Sequence, residues 1–188
     1  DKAGNRTYFW DRRSEVLDTL NEADLSLIPL ASVLYVDWYD HGYFDKALET
    51  AKENGVPVFI NFEHKHCDKE LLDRYGPYAT IIQATTDEAQ ENRNPEAVGD
   101  RLLNTGASIA LVTMAREGCI AFSKKETIRV HAPRVDVIDG NGAGATFSAG
   151  YLFGLLQNWR LEESVRFAVA AASLKCTIPG IQTHPVHH

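Results

Sequence analysis

The sequence predicts an α/β domain built on a mostly parallel sheet with helices on both sides. Three observations lead there. Short β-rich runs alternate with helical stretches along the chain, which is the pattern of βαβ units. The runs themselves, SVLYV and SIALVT among them, are almost wholly apolar, as strands covered on both faces must be. The chain has 188 residues, 44% hydrophobic and 24% charged, the balance of one globular domain with a buried core. One α/β domain over residues 1–188 is therefore expected, with no internal repeat and no linker.

The elements follow in order. Arg6–Trp10 reads as a strand and Glu15–Ala23 as a short amphipathic helix. Ser32–Val36 is an apolar, β-branched strand. Tyr43–Asn54 places Phe44, Ala47, Leu48 and Ala51 at helical spacing, and Gly55 stops it. Val58–Asn61 is a strand, Lys69–Arg74 a short helix, and Tyr78–Gln83 a further strand. Pro95–Thr105 carries proline in its first turn, where the missing N–H is harmless, and Gly106 ends the helix. Ser108–Thr113 is a strand; Cys119–Ser123 and Thr127–His131 form a hairpin. Two long helices close the chain, Gly142–Asn158 and Leu161–Cys176. The second is rich in alanine, which lets helices pack closely.

Composition excludes several classes. Net charge is -7 with no basic stripe, so nucleic acid is not an expected partner. No run of about 18 apolar residues exists, so no membrane span is expected. Three scattered cysteines, Cys67, Cys119 and Cys176, read as reduced thiols of a cytoplasmic protein. His64, His66 and Cys67 stand together, but no second ligand cluster accompanies them, and a polar loop after a strand is the expectation. Asp37 and Asp40 follow a buried strand, at the end of the sheet where ligands of open α/β folds sit; loop solvation and helix capping explain them equally well. Arg166 and Lys175 read as a solvated helix face.

The chemistry concentrates in Val135–Gly150, VDVIDGNGAGATFSAG. A hydrophobic run leads into Asp139, then come Gly140, Gly142 and Gly144, and a helix begins. Glycines let a ligand approach the backbone. Successive N–H groups at a helix N-terminus, with the dipole behind them, make an anion site. Taken alone, glycines in this pattern more often build only a tight strand-to-helix turn.

The company of this loop resembles the PfkB, or ribokinase-like, carbohydrate kinases. Their C-terminal signature has the form D-T-x-G-A-G-D-x-F-x-A-G. Asp139, Gly142, Ala143, Gly144, Phe147, Ala149 and Gly150 match it. RFAVAAASLKCTIPG resembles that family's adenine-side segment, and ENGVPVFINFE its strand after a Gly-hydrophobic-Pro turn. VTMAREG resembles its V-T-x-G-x-x-G nucleotide strand, with Ala115 where glycine is usual. The resemblance implies a three-layer ribokinase-like fold and phosphoryl transfer from ATP, with Mg, to a small sugar. Gly142, Ala143 and Gly144 would form the anion hole. Thr113, Gly118, Asp139, Ala170, Lys175 and Gly180 would bind nucleotide, and Glu88 would serve the metal.

The departures are specific. The proton-accepting aspartate of the family is Ala145 here, and a methyl group cannot take a proton. The threonine after the first Asp is Gly140, and Thr85 stands for the asparagine of the family's N-x-x-E motif, with Glu88 matching its acid. The family's N-terminal Gly-Gly sugar motif and lid sheet have no counterpart, so the chain is expected to be a piece whose bare sheet edge favours self-association. An impaired sugar kinase and a non-catalytic phosphate-binding module are the competing expectations. A dinucleotide-binding domain is disfavoured by the late position of the glycine loop.

Overall fold

The computed structural model describes residues 18–37, 42–86 and 94–180. The strands are β1 (Leu34–Asp37), β2 (Val58–Asn61), β3 (Ile81–Thr85), β4 (Ile109–Thr113), β5 (Cys119–Ser123) and β6 (Thr127–Val130). The helices are α1 (Asp45–Glu53), α2 (Lys69–Tyr75), α3 (Pro95–Leu103), α4 (Ala143–Leu156) and α5 (Leu161–Lys175). The expected strand at Arg6–Trp10 lies outside the described residues. Of the expected helix at 15–23, the described part is a 3-10 turn at Thr19–Glu22.

The sheet order is β1-β2-β3-β4-β5-β6. The first four strands are parallel; β4, β5 and β6 run antiparallel to one another in turn. Strand β3 begins later than expected, at Ile81, because Gly76–Tyr78 continues α2 as a 3-10 turn with Pro77 in its second position.

Two cores sit on the two faces. One packs Leu48 and Ala51 of α1, Leu72 and Tyr75 of α2, and Val98 and Leu102 of α3 against Val58, Ile60, Ile82, Ala110, Val112 and Ile120. The other packs Phe147 and Tyr151 of α4 and Val165, Ala168 and Val169 of α5 against Phe59, Ile81, Leu111, Cys119 and Ala121. Alternate residues of each strand serve opposite layers, which is why the strand sequences are apolar throughout.

Helices α4 and α5 meet closely because small residues line the seam. A Cβ on Gly154 would stand 2.9 Å from the Ser164 Cα, and one on Gly150 3.0 Å from the Ala168 Cα. This pair of helices carries the glycine loop at its open end, beside the carboxyl ends of the parallel strands.

Two expectations about exposure are corrected here. His66 is fully buried beneath a 3-10 turn at Glu63–Cys67, with its Nδ1 3.4 Å from the Cys67 sulfur. The EHKHC stretch is thus partly core, since its turn packs against β3. Among the described residues no group of His, Cys, Asp and Glu assembles a metal site. Lys175 is only 4% exposed, not solvated, because the last turn of α5 tucks under the segment leading into the glycine loop. Arg166 is exposed as expected and pairs with Glu162 at 2.6 Å.

Candidate phosphate-binding site

The loop before α4 is held by Asp139. Its Oδ1 accepts the Asn141 N–H at 2.9 Å and its Oδ2 accepts the Gly180 N–H at 2.9 Å. One carboxylate therefore ties the glycine loop to the chain leaving α5. The Ile138 and Asp139 amides donate to the Cys176 carbonyl at 2.8 and 3.1 Å. The buried Lys175 ammonium donates to the Asp139 carbonyl at 3.3 Å. Asp139, Lys175 and Gly180, three separate candidates in the sequence, are brought together.

Gly142 then adopts φ 81°, the left-handed conformation that glycine reaches without strain. That turn aims the first helical amides outward. Ala143 N–H donates to Gly140 O at 3.3 Å, and Thr146 N–H to Gly142 O at 2.9 Å. Between them, among the described residues, the amides of Gly144 and Ala145 have no acceptor. Both residues are exposed, and a Cβ built on Gly144 would meet nothing within 4 Å. Two outward donors, the positive end of a 14-residue helix and open space above them suit an anion. The residue at the foot of this space is Ala145.

Beside the loop an open groove of about 490 Å³ is lined by Arg134, Val135, Asp136, Ile138 and Thr177. Ala170 is exposed on α5, one turn before the buried end of that helix. Thr113, the last residue of β4, shares a hydrogen bond with Thr85 between their hydroxyls at 2.9 Å and donates to Ala84 O at 3.2 Å. Gly118 is buried at φ 96° behind the tip of β4, packed against the β6 backbone. Ala115, which stands where glycine was expected, has φ 46°, so the position does demand the left-handed region. Glu88 lies outside the described residues.

Sequence reasoning missed a polar ladder beneath this site. Asp37 Oδ1 accepts from the Tyr35 hydroxyl and from Asn61 Nδ2, each at 3.0 Å. Asp37, Asn61 and Gln83 are in register across β1, β2 and β3. The Gln83 Oε1 accepts from the Ser148 hydroxyl of α4 at 2.8 Å. Burial of the ring pushes the Tyr35 phenol up to about 12, with Ser148, Asp37 and Asn61 as its neighbours. The signal was present: Asn61 and Gln83 are the amide side chains in the otherwise mostly apolar runs VFIN and IIQAT.

Comparison with known proteins decides the family. The model of the pfkB family carbohydrate kinases matches residues 2–187. The chain belongs to the PfkB family. It is 29% identical over 132 residues to a ribokinase of Lactococcus lactis, covering 70% of this chain and 42% of that protein. It is 30% identical over 142 residues to the adenosine kinase of Saccharomyces cerevisiae, covering 66% and 42%. Against an ATP-dependent 6-phosphofructokinase of Thermoanaerobacterium thermosaccharolyticum it is 29% identical over 119 residues, covering 61% and 37%. The chain thus spans about two fifths of the length of these PfkB relatives. Among solved structures, an E. coli protein of the ribokinase II type, in complex with ATP and Mg2+, superposes with a TM-score of 0.74 at 17% identity, covering 86% of this chain and 57% of that one. Arabidopsis thaliana ribokinase, complexed with ribose and ATP, gives 0.69 at 21% identity, covering 83% and 53%. The three-layer ribokinase-like fold expected from the sequence is the fold observed.

Proposed function

We propose that this PfkB chain binds the phosphates of ATP at the Gly142–Ala145 loop but transfers phosphate to sugar negligibly. The carrying observation is one loop in which the backbone is competent and the side chain is not. The Gly144 and Ala145 amides have no acceptor among the described residues and the space beside Gly144 is open, while the residue at the position of the family's base is alanine. General-base assistance contributes about 10²–10⁴-fold, and that contribution is absent. Anion stabilisation by backbone donors does not depend on it.

The remaining candidates take graded roles. Lys175 supplies positive charge at the base of the loop, and Asp139 holds the loop through Asn141 and Gly180. Each Asp139 oxygen accepts an amide N–H, so this carboxylate holds the shape of the loop. Mg would be held by Glu88 together with the phosphates, where it would neutralise charge on the transferring group. The groove of Val135, Ile138 and Thr177 supports placing the adenine along the segment from Ala170 to Gly180 that contains Thr177. Thr113 and Gly118 shape the neighbouring strand end. Among the described residues no helix is long and apolar enough to cross a membrane. β1 is an edge strand of the described sheet, and pairing of two copies through it is the self-association this architecture supports.

Two measurements test the reading. Titration of labelled protein with ATP should shift the Gly142–Ala145 amides at millimolar ligand, and silent amides in a folded chain would end the phosphate assignment. A coupled assay with a panel of hexoses and pentoses should give no turnover approaching the roughly 1–100 s⁻¹ of ordinary kinases. Ala145→Asp alone should leave that result unchanged, because a carboxylate without a positioned sugar accelerates nothing. Activity in that variant would show that a sugar site is complete in this chain.

A further inference from the structure

The Gln83 side chain is 1% exposed on the central strand β3, and Ser148 is 3% exposed on the sheet-facing side of α4. Their hydrogen bond, 2.8 Å from Ser148 Oγ to Gln83 Oε1, spans 65 residues of sequence and joins two layers. The same Oγ lies 3.1 Å from the Gly144 carbonyl, within the loop that presents the outward amides. The Gln83 Nε2 is buried and has no hydrogen-bond partner among the described residues. A leucine or methionine would fill this place without stranding a polar donor, so core packing alone does not account for an amide here.

We propose that Gln83 and Ser148 are positioning residues for the phosphate loop, with Gln83 fixing Ser148 and Ser148 fixing Gly144. The proposal rests on the phosphate reading of that loop and goes beyond it. A hydroxyl has one proton and cannot donate to Gln83 and Gly144 together. Turning the Gln83 amide over removes the conflict. Nε2 then donates to Ser148 Oγ, the Ser148 proton goes to the Gly144 carbonyl, and the group left single is an acceptor, which burial tolerates better than a donor. Tyr35 and Asn61, adjoining Ser148 and Gln83, close the ladder on the side of Asp37. The ladder ties the first turns of α4 to three parallel strands, so the Gly144 and Ala145 amides are aimed before any ligand arrives. Preorganised donors of this kind bind charge without reorganising.

The experiment uses the full chain, with Gln83→Met, which keeps volume and removes the amide, and Ser148→Ala. Without ligand, both should raise hydrogen exchange at the Thr146 amide and lower the NMR order of Gly142–Ala145. With ATP or inorganic phosphate as the probe, affinity should fall about threefold to tenfold, the range of one neutral hydrogen bond. The urea midpoint of Gln83→Met should hold or rise, because a stranded amide is gone. A purely structural residue would lose stability and affinity together, and that outcome overturns the proposal. Unchanged loop order in both ligand-free variants overturns it too, whatever the ligand does. If the parent chain ignores ATP and phosphate while the variants loosen the loop, the phosphate reading fails and the positioning stands.

Discussion

Gly118→Ala separates a steric role from a nucleotide contact at one of the family's signature positions. Gly118 has φ 96° and ψ −128°, a region that alanine enters only with strain of about 1–3 kcal/mol. A Cβ there would stand 2.0 Å from the Val130 carbonyl oxygen and 2.7 Å from the Ala132 nitrogen. Both are backbone atoms, so relief requires the β5–β6 pair to part by roughly 1 Å at the Cys119–Val130 rung. Loosening that rung weakens about two hydrogen bonds at roughly 1 kcal/mol each. The sum is a loss of about 3–5 kcal/mol, against a typical total of about 5–15. Urea unfolding followed by circular dichroism measures it, with the slope of the transition checked for constancy. A loss below about 1 kcal/mol accompanied by weakened ATP binding would refute the steric reasoning and assign Gly118 to the nucleotide.

Lys175→Met should stabilise the fold by about 1–2 kcal/mol, because a buried ammonium with one carbonyl partner is replaced by an apolar chain of similar length. Calorimetry should register this as a rise of roughly 2–8 °C for a domain of this size, and ATP affinity should fall; equal affinity would remove Lys175 from the site. Tyr35 governs an alkaline limb of stability. Its folded-state pKa of about 12 exceeds the ordinary value of 10.0, so the folded chain keeps a proton that the unfolded chain releases. The stability this phenol contributes is therefore fully present below pH 10.0 and is lost as pH rises toward about 12. Urea midpoints across that window should fall more steeply for the parent than for Tyr35→Phe, and parallel slopes would contradict the assignment.

The sheet was legible because βαβ units write their period plainly. VFIN and CIAFS could be read as strands to the residue, since each is bounded by turn residues and buried on both faces. Strand β3 was harder: YATIIQAT is apolar enough to start anywhere, and only the 3-10 turn at Pro77 fixes its start at Ile81. The glycine loop was legible as a motif, but its outward amides follow from the Gly142 dihedral and the Asp139 clamp, which bridges 41 residues to Gly180. Lys175 was misread by its charge and not by its period. Its helical-wheel neighbours Ala168, Ala171 and Ala172 are buried or half-buried, so the period places it toward the covered side of α5, and the chain entering the glycine loop accepts its ammonium.

The division of labour at this site explains how the loop can outlast the base. In the proposed phosphate site the anion donors are main-chain amides, fixed by Gly142, Asp139 and the axis of α4, and no side chain at position 145 enters their geometry. Losing a carboxylate from beside them also removes like charge from the approaching phosphate, an effect of about 1 kcal/mol at 4 Å in water and larger where water is excluded. Transfer is different in kind, because it needs a proton acceptor placed within hydrogen-bond reach of a positioned hydroxyl. On the proposed reading, alanine at position 145 therefore removes proton acceptance while favouring phosphate binding. On this account affinity for ATP and competence for transfer vary independently along this chain, and an Ala145→Asp variant should bind ATP more weakly than the parent.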